Sequence, residues 1–129
     1  MIQEIEVNKW YIIKPDFTWE YWDDLEEPSL KDMQEIVGGW IEAIPDTYLG
    51  PHILRAYVNE EGIPLGLEDN TLAVQCLHWD IAHFVPKGTV LAYAKPSFSG
   101  VLNRTVRVYD EAMRLLGITQ SWPPEEDFV

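Results

Sequence analysis

The stretch LKDMQEIVGGWIEAIP, residues 30–45, constrains the architecture more than any other part of the chain. Ser29 stands ahead of it as an N-cap, and Asp32 three positions on completes a capping box. Leu30, Met33 and Val37 recur at helical spacing with Ile36 beside them, which predicts a helix over 30–37. Gly38 then falls where a helix ends with positive φ, a conformation that costs glycine nothing. Gly39 lets the chain reverse at once into a strand in which Trp40, Glu42 and Ile44 alternate with Ile41 and Ala43. Trp40 is expected in the core. The order is helix then strand, whereas a phosphate-cradling glycine loop needs strand then helix. The double glycine is therefore a stop and a reversal.

Other segments fill in the picture. IQEIEVN and KWYIIKP read as one or two strands ended by Pro15. HILRAYV reads as a strand, followed by a hairpin turn at Asn59-Glu60-Glu61-Gly62 and a short return strand or loop, IPLGLEDN. TLAVQCL fits a buried strand or a helix equally well. GTVLAYA is the clearest strand, bounded by Pro86-Lys87-Gly88 and Pro96. From Leu102 the period turns helical, with Val106, Tyr109, Met113 and Leu116 on one stripe, and Gly117 closes it. These elements predict an α+β fold: a mixed or antiparallel sheet of four to six strands, with two helices (30–37 and 102–116) packed on one face. The 129 residues and 47% hydrophobic content suit a single domain over 1–129 with a real core. A proline-broken tail occupies 118–129.

The segment LKDMQEIVGGWIEAIP, followed by YVNEEGIPLGLEDN and GTVLAYA, resembles a family of small domains catalogued as domain of unknown function 3846. The resemblance covers about residues 30–95, carried by EIVGG and VNEEG in that order. Residues 1–29 and the helix from Leu102 lie outside it. It implies a bacteriophage or mobile-element setting, and it brings no activity with it.

Charge is the most unusual total: nine Lys and Arg against 22 Asp and Glu, a net −13. From Asp16 to Glu35 there are eight acids (Asp16, Glu20, Asp23, Asp24, Glu26, Glu27, Asp32, Glu35) against Lys31 alone. Such a field repels phosphate backbones and attracts basic protein surfaces. Trp19 and Trp22 lie among these acids, either folding back on the core or anchoring a partner. The leading expectation is a non-catalytic, cytoplasmic protein that binds and inhibits a host protein with a basic surface, with nucleic-acid mimicry as its concrete form. Asp16, Trp19, Glu20, Trp22, Asp23, Asp24, Glu26 and Glu27 would form the contact. The alternative is a small-molecule binder, in which Arg55, Lys95, Arg104 and Arg107 converge on a nucleotide-like anion. Solubility alone is the plainer account of the acids.

Catalytic and metal readings are weaker. His78 and His83 flank Asp80, but on a helix five residues separate two rings by about 140°, and zinc-binding helices use i, i+4. Glu60-Glu61 and Glu68-Asp69 sit at turns, where neither carboxylate is desolvated for acid–base work. Ser97 and Ser99 belong to no nucleophile-elbow pattern, and Cys76 in VQCLHW reads as a buried free thiol. We therefore expect no metal, no cofactor and no enzymatic activity. No apolar run is long enough to span a bilayer, and MIQEIEVNKW has no leader-like basic and apolar regions.

Overall fold

The computed structural model describes residues 7–24, 26–77 and 85–117. Five strands, β1 (Lys9–Ile13), β2 (Trp19–Tyr21), β3 (Ile41–Ala43), β4 (Ile53–Asn59) and β5 (Val90–Ala94), form one sheet. Their order is β2-β1-β5-β4-β3, with every pair antiparallel. Three helices complete the described fold: α1 (Leu30–Val37), α2 (Thr71–Cys76) and α3 (Phe98–Leu115), with a short 3₁₀ turn at Asp46–Tyr48. The α+β class and the antiparallel sheet are those expected.

Both faces of the sheet are covered, so β5 and most of β1 read as unbroken apolar runs rather than alternating ones. On one face Tyr11, Ile13, Ala56, Val58, Val90, Ala92 and Ala94 pack with Leu72 and Ala73 of α2 and Phe98 and Leu102 of α3. Trp10, Ile12 and Leu91 point the other way, toward Val37, Met33 and Ile36 of α1. The two anticipated helices thus lie on opposite faces, not on one. Helical periodicity identifies the apolar side of a helix but not the sheet face that receives it. Side-chain size matches the cover. Three alanines lie on the side of the 18-residue α3, while Trp10, Tyr57 and Tyr93 lie on the side of the eight-residue α1.

The glycine junction is built as its residues demand. Ser29 Oγ accepts the Asp32 N–H at 3.1 Å, and the Asp32 carboxylate accepts the Ser29 N–H at 2.9 Å. Gly38 has φ 84°, and both Gly38 and Gly39 donate to the Gln34 carbonyl, at 2.8 and 2.9 Å. Gly39 answers a different need. A Cβ there would come within 2.9 Å of Asn59 Nδ2. The buried Asn59 amide donates to the Val37 carbonyl at 3.2 Å and its oxygen accepts the Glu61 N–H at 2.8 Å, tying the end of α1 to the end of β4.

A second buried amide, Asn70, joins three parts of the fold. Its Nδ2 donates to the carbonyls of Ile13 and Gly88, each at 2.9 Å, and its Oδ1 caps α2 by accepting the Ala73 N–H at 3.0 Å.

Several local expectations change. TLAVQCL is helical through Cys76. Asn59-Glu60-Glu61-Gly62 turns the chain into a loop rather than a return strand; β4 pairs with β3 and β5, and the next segment forms one isolated bridge, Asp69–Lys87. The third helix starts at Phe98 rather than Leu102. Residues 19–21, expected as helix or loop, form β2. Trp40 is 64% exposed instead of buried; it lies just ahead of the edge strand β3. The segment before residue 30 is no appendage, since β1 pairs along its whole length with β5.

Two stability predictions follow from these amides and glycines. Gly38→Ala places a side chain at positive φ and should cost about 1 kcal/mol or more, read as a lower melting temperature. Melting at the wild-type temperature would show that α1 does not depend on that conformation. Asn70→Ala strands two buried carbonyls and one N–H, and should cost more, about 3 kcal/mol. A smaller loss than for Gly38→Ala in urea unfolding would refute the bracing role of Asn70.

Candidate functional site

The acidic residues occupy the edge of the sheet and its link to α1. Asp16 tips the β1–β2 turn, where its Oδ1 accepts the Thr18 N–H at 3.0 Å and the Thr18 hydroxyl. Glu20, on the edge strand β2, pairs with Lys14 at 2.9 Å. Asp23, Asp24, Glu26 and Glu27 follow in the loop, all exposed. Asp24 Oδ1 accepts the Glu26 N–H at 3.1 Å, and Glu27 lies 3.9 Å from Arg55. Asp32 is used in the capping box, and Glu35 is exposed on α1.

Among the described residues, the imbalance of charge is confined to this region. Outside 16–35, the described residues carry eight carboxylates and eight Lys and Arg side chains. Within it, eight acids face one lysine. The described molecule is therefore close to neutral except along one edge and one helix.

The two tryptophans of the segment fold inward. Trp19 packs with the α3-side core, its ring 5.8 Å from Tyr11 and 5.2 Å from Tyr21. Trp22 packs with the α1-side core, and its Nε1 donates to the Glu26 carbonyl at 2.9 Å. Pro28 is buried beside them in sequence. Trp19 and Trp22 thus act from opposite sides of β2 to hold the acidic loop against the sheet. They do not project as free anchors; Tyr21, with Lys9 Nζ 4.6 Å above its ring, is the exposed aromatic of this strand.

The four basic residues of the alternative reading do not converge. Arg55 lies on the α1 side, its guanidinium carbon 4.8 Å from the Tyr93 ring centre and 5.4 Å from that of Trp10. It completes a stack in which Trp10 meets Tyr93 at 4.9 Å and Tyr57 at 6.2 Å. Trp10 Nε1 is buried there without a hydrogen-bond partner among the described residues. Lys95 follows β5 and is exposed, its N–H bound to the His52 carbonyl at 2.9 Å. Arg104 and Arg107 lie on α3, across the sheet from Arg55. Arg104 borders a cleft of about 460 Å³ with Phe17, Thr71, Gln75 and Tyr109. Arg107 borders a neighbouring hollow of about 490 Å³ with Trp19 and Asp110, and Phe17 is common to both.

Chemically reactive groups are sparse. Burial pushes the Cys76 thiol up to about 12, so it stays protonated and unreactive at neutral pH. Tyr11 is likewise pushed up to about 12 by burial, and its hydroxyl donates to the Lys95 and Pro96 carbonyls at 3.1 and 3.3 Å. One contact was invisible in the sequence. His52 Nδ1 lies 3.1 Å from Ser97 Oγ across 45 positions, because β4 begins where α3 begins. Ser97 is exposed, and among the described residues no carboxylate bonds to His52 as the orienting acid of a hydrolytic triad would. Glu60, Glu61, Glu68 and Asp69 are exposed at turns, and Asp69 pairs with Lys87. Among the described residues no group of three or more His, Cys, Asp or Glu could hold a metal ion. His78, Asp80 and His83 lie outside the described residues. No described helix is long and apolar enough to cross a membrane.

Compared with known proteins, the chain matches no curated protein and no solved structure. One family model does match, over residues 8–94. The match is wider than the motif-based resemblance over 30–95, and it takes in all five strands and the acidic loop while leaving α3 outside. On that match, which spans about two-thirds of the chain, the protein belongs to the family described as Domain of unknown function (DUF3846).

Proposed function

We propose that the protein is a non-catalytic binding module that docks its acidic edge onto a basic protein surface and inhibits it. In this reading the setting is a bacteriophage or other mobile element acting inside a host cell, and the target is a protein built to hold nucleic acid. One observation carries the proposal: the excess of negative charge among the described residues is concentrated in Asp16 to Glu35 rather than spread for solubility.

The physics favours such a surface in two ways. Nucleic acid presents closely spaced charges, and a partner's lysines and arginines respond to the field whichever chain supplies it. The loop that carries Asp23, Asp24, Glu26 and Glu27 is also held in place, by the Trp22–Glu26 hydrogen bond, buried Pro28 and the Glu27–Arg55 contact. A loop ordered before binding loses less conformational entropy on binding.

The test begins with partners captured from host lysate, followed by kinetics on the purified pair. Replacing Asp23, Asp24, Glu26 and Glu27 by Asn and Gln should slow association at least tenfold at low salt and flatten its salt dependence. Melting should hold or rise slightly, since the amides keep their acceptor oxygens and self-repulsion falls. Competing duplex DNA or RNA should release the partner. Unchanged association in the fourfold variant, or a partner indifferent to nucleic acid, would defeat the proposal.

A separate outcome is expected for Trp22→Ala. It leaves the charge intact but unfastens the loop, so affinity should drop through faster dissociation while the salt dependence stays the same. A lower melting temperature should accompany it, as a half-buried indole is lost from the α1-side core.

A further inference from the structure

We infer that the cleft between the β1–β2 turn, α2 and α3 is a binding site for a small aromatic anion. The surface lies across the sheet from α1, and the inference stands apart from the docking role of the acidic edge. Its cavity of about 460 Å³ is in the range of about 300–1,000 Å³ that small-molecule sites occupy.

The walls combine what such a ligand needs. Phe17 and Tyr109, stacked on each other with ring centres 3.9 Å apart and planes at 22°, both border the cleft. Phe17 holds this position at φ 66°, a left-handed conformation that disfavours a bulky residue and is sustained by burial of its ring. Val108 and Ala112 extend the apolar surface, and Val108 is 60% exposed in the open cleft. A ring inserted along this wall would cover it. Thr71 and Gln75, one turn apart on α2, supply polar groups on the opposite bank.

Arg104 supplies the sign of the charge. It borders the cleft and forms no hydrogen bond or ion pair with any described residue. Among the described residues this guanidinium has no carboxylate partner, and it borders the cleft as the group open to an incoming anion. Its planar fork matches a carboxylate or phosphate, with two parallel hydrogen bonds available. Arg107, one turn on, borders the adjoining hollow beside Phe17 and Trp19, where a longer ligand would continue. The site joins Phe17, Thr71 and Gln75, inside the family match, to α3, beyond it.

The experiment is protein-observed NMR on the whole chain. Benzoate, phenyl phosphate and adenosine 5′-monophosphate are titrated to about 10 mM, a range that reaches millimolar dissociation constants. Benzamide, phenol and adenosine serve as uncharged counterparts, and inorganic phosphate tests the charge alone. At least one aromatic anion should shift the amide signals of Thr71, Gln75, Thr105 and Val108, well beyond the effect of its uncharged counterpart or of phosphate. Arg104→Gln should weaken that binding about tenfold or more, the scale of a lost charge-assisted pair. Val108→Glu, which sets a carboxylate in the cleft from an exposed position, should abolish it. Arg114→Gln, on the same helix but outside the cleft, should leave it unchanged. The assignment is overturned if no aromatic anion shifts these signals, if uncharged compounds bind as well, or if Arg114→Gln weakens binding as much as Arg104→Gln.

Discussion

The pairing of β1 with β5 is the contact on which the rest of the molecule depends. It brings the beginning of the described chain against its last strand, and the Tyr11 hydroxyl seals the junction by bonding the Lys95 carbonyl across 84 positions. Closing so long a loop is entropically costly, but the cost grows only slowly with length. What repays it is two-sided burial: Tyr11 and Ile13 enter one core, Trp10 and Ile12 the other. With β4 on its other edge, β5 becomes the centre of the sheet, and β2 is left as an edge strand. From that edge the acidic loop passes to α1 on one face, while α3 leaves the end of β5 on the other. The separation of the acids from Arg104 and Arg107 is thus a consequence of strand order.

Both edges of this sheet are guarded. β2 and β3 are three residues each, and each carries an exposed glutamate, Glu20 and Glu42. Short, charged edges resist pairing with an added strand. Recognition by strand addition is therefore a poor fit for this fold. Side chains, rather than open backbone groups, are what the molecule has to offer a partner.

Much of this was legible where local chemistry suffices. Helix 30–37, its capping box, the positive φ of Gly38 and the apolar run of β5 all follow from spacing and residue type. What was not legible depended on contacts between distant positions. Gly39 looked like a free hinge, yet its constraint is Asn59, twenty positions away. Asn70 ended a segment read as a short return strand or loop, and is a fully buried brace between β1, α2 and the approach to β5. Trp40 had the composition of a core residue, but its exposure is set by its position beside an edge strand. The tryptophans of the acidic segment posed a real choice, and packing on both faces of the sheet resolved it toward the interior. The proximity of His52 and Ser97 had no sequence signal at all, since it arises from the register in which β4 meets β5.

Electrostatics adds a constraint on what each surface can hold. Screening limits the reach of exposed charges to about 8 Å at physiological ionic strength. The acidic edge therefore acts on partners that come close and present many charges together, as a basic protein surface does. No long-range field draws an anion to the α3 cleft, so a ligand there must be held by contacts made at short range. That requirement selects against inorganic ions and in favour of molecules that bring a ring to Phe17, Tyr109 and Val108 along with a group for Arg104. Aromatic walls and a guanidinium without a described partner are complementary for this reason: burial of the ring provides the affinity that long-range attraction does not.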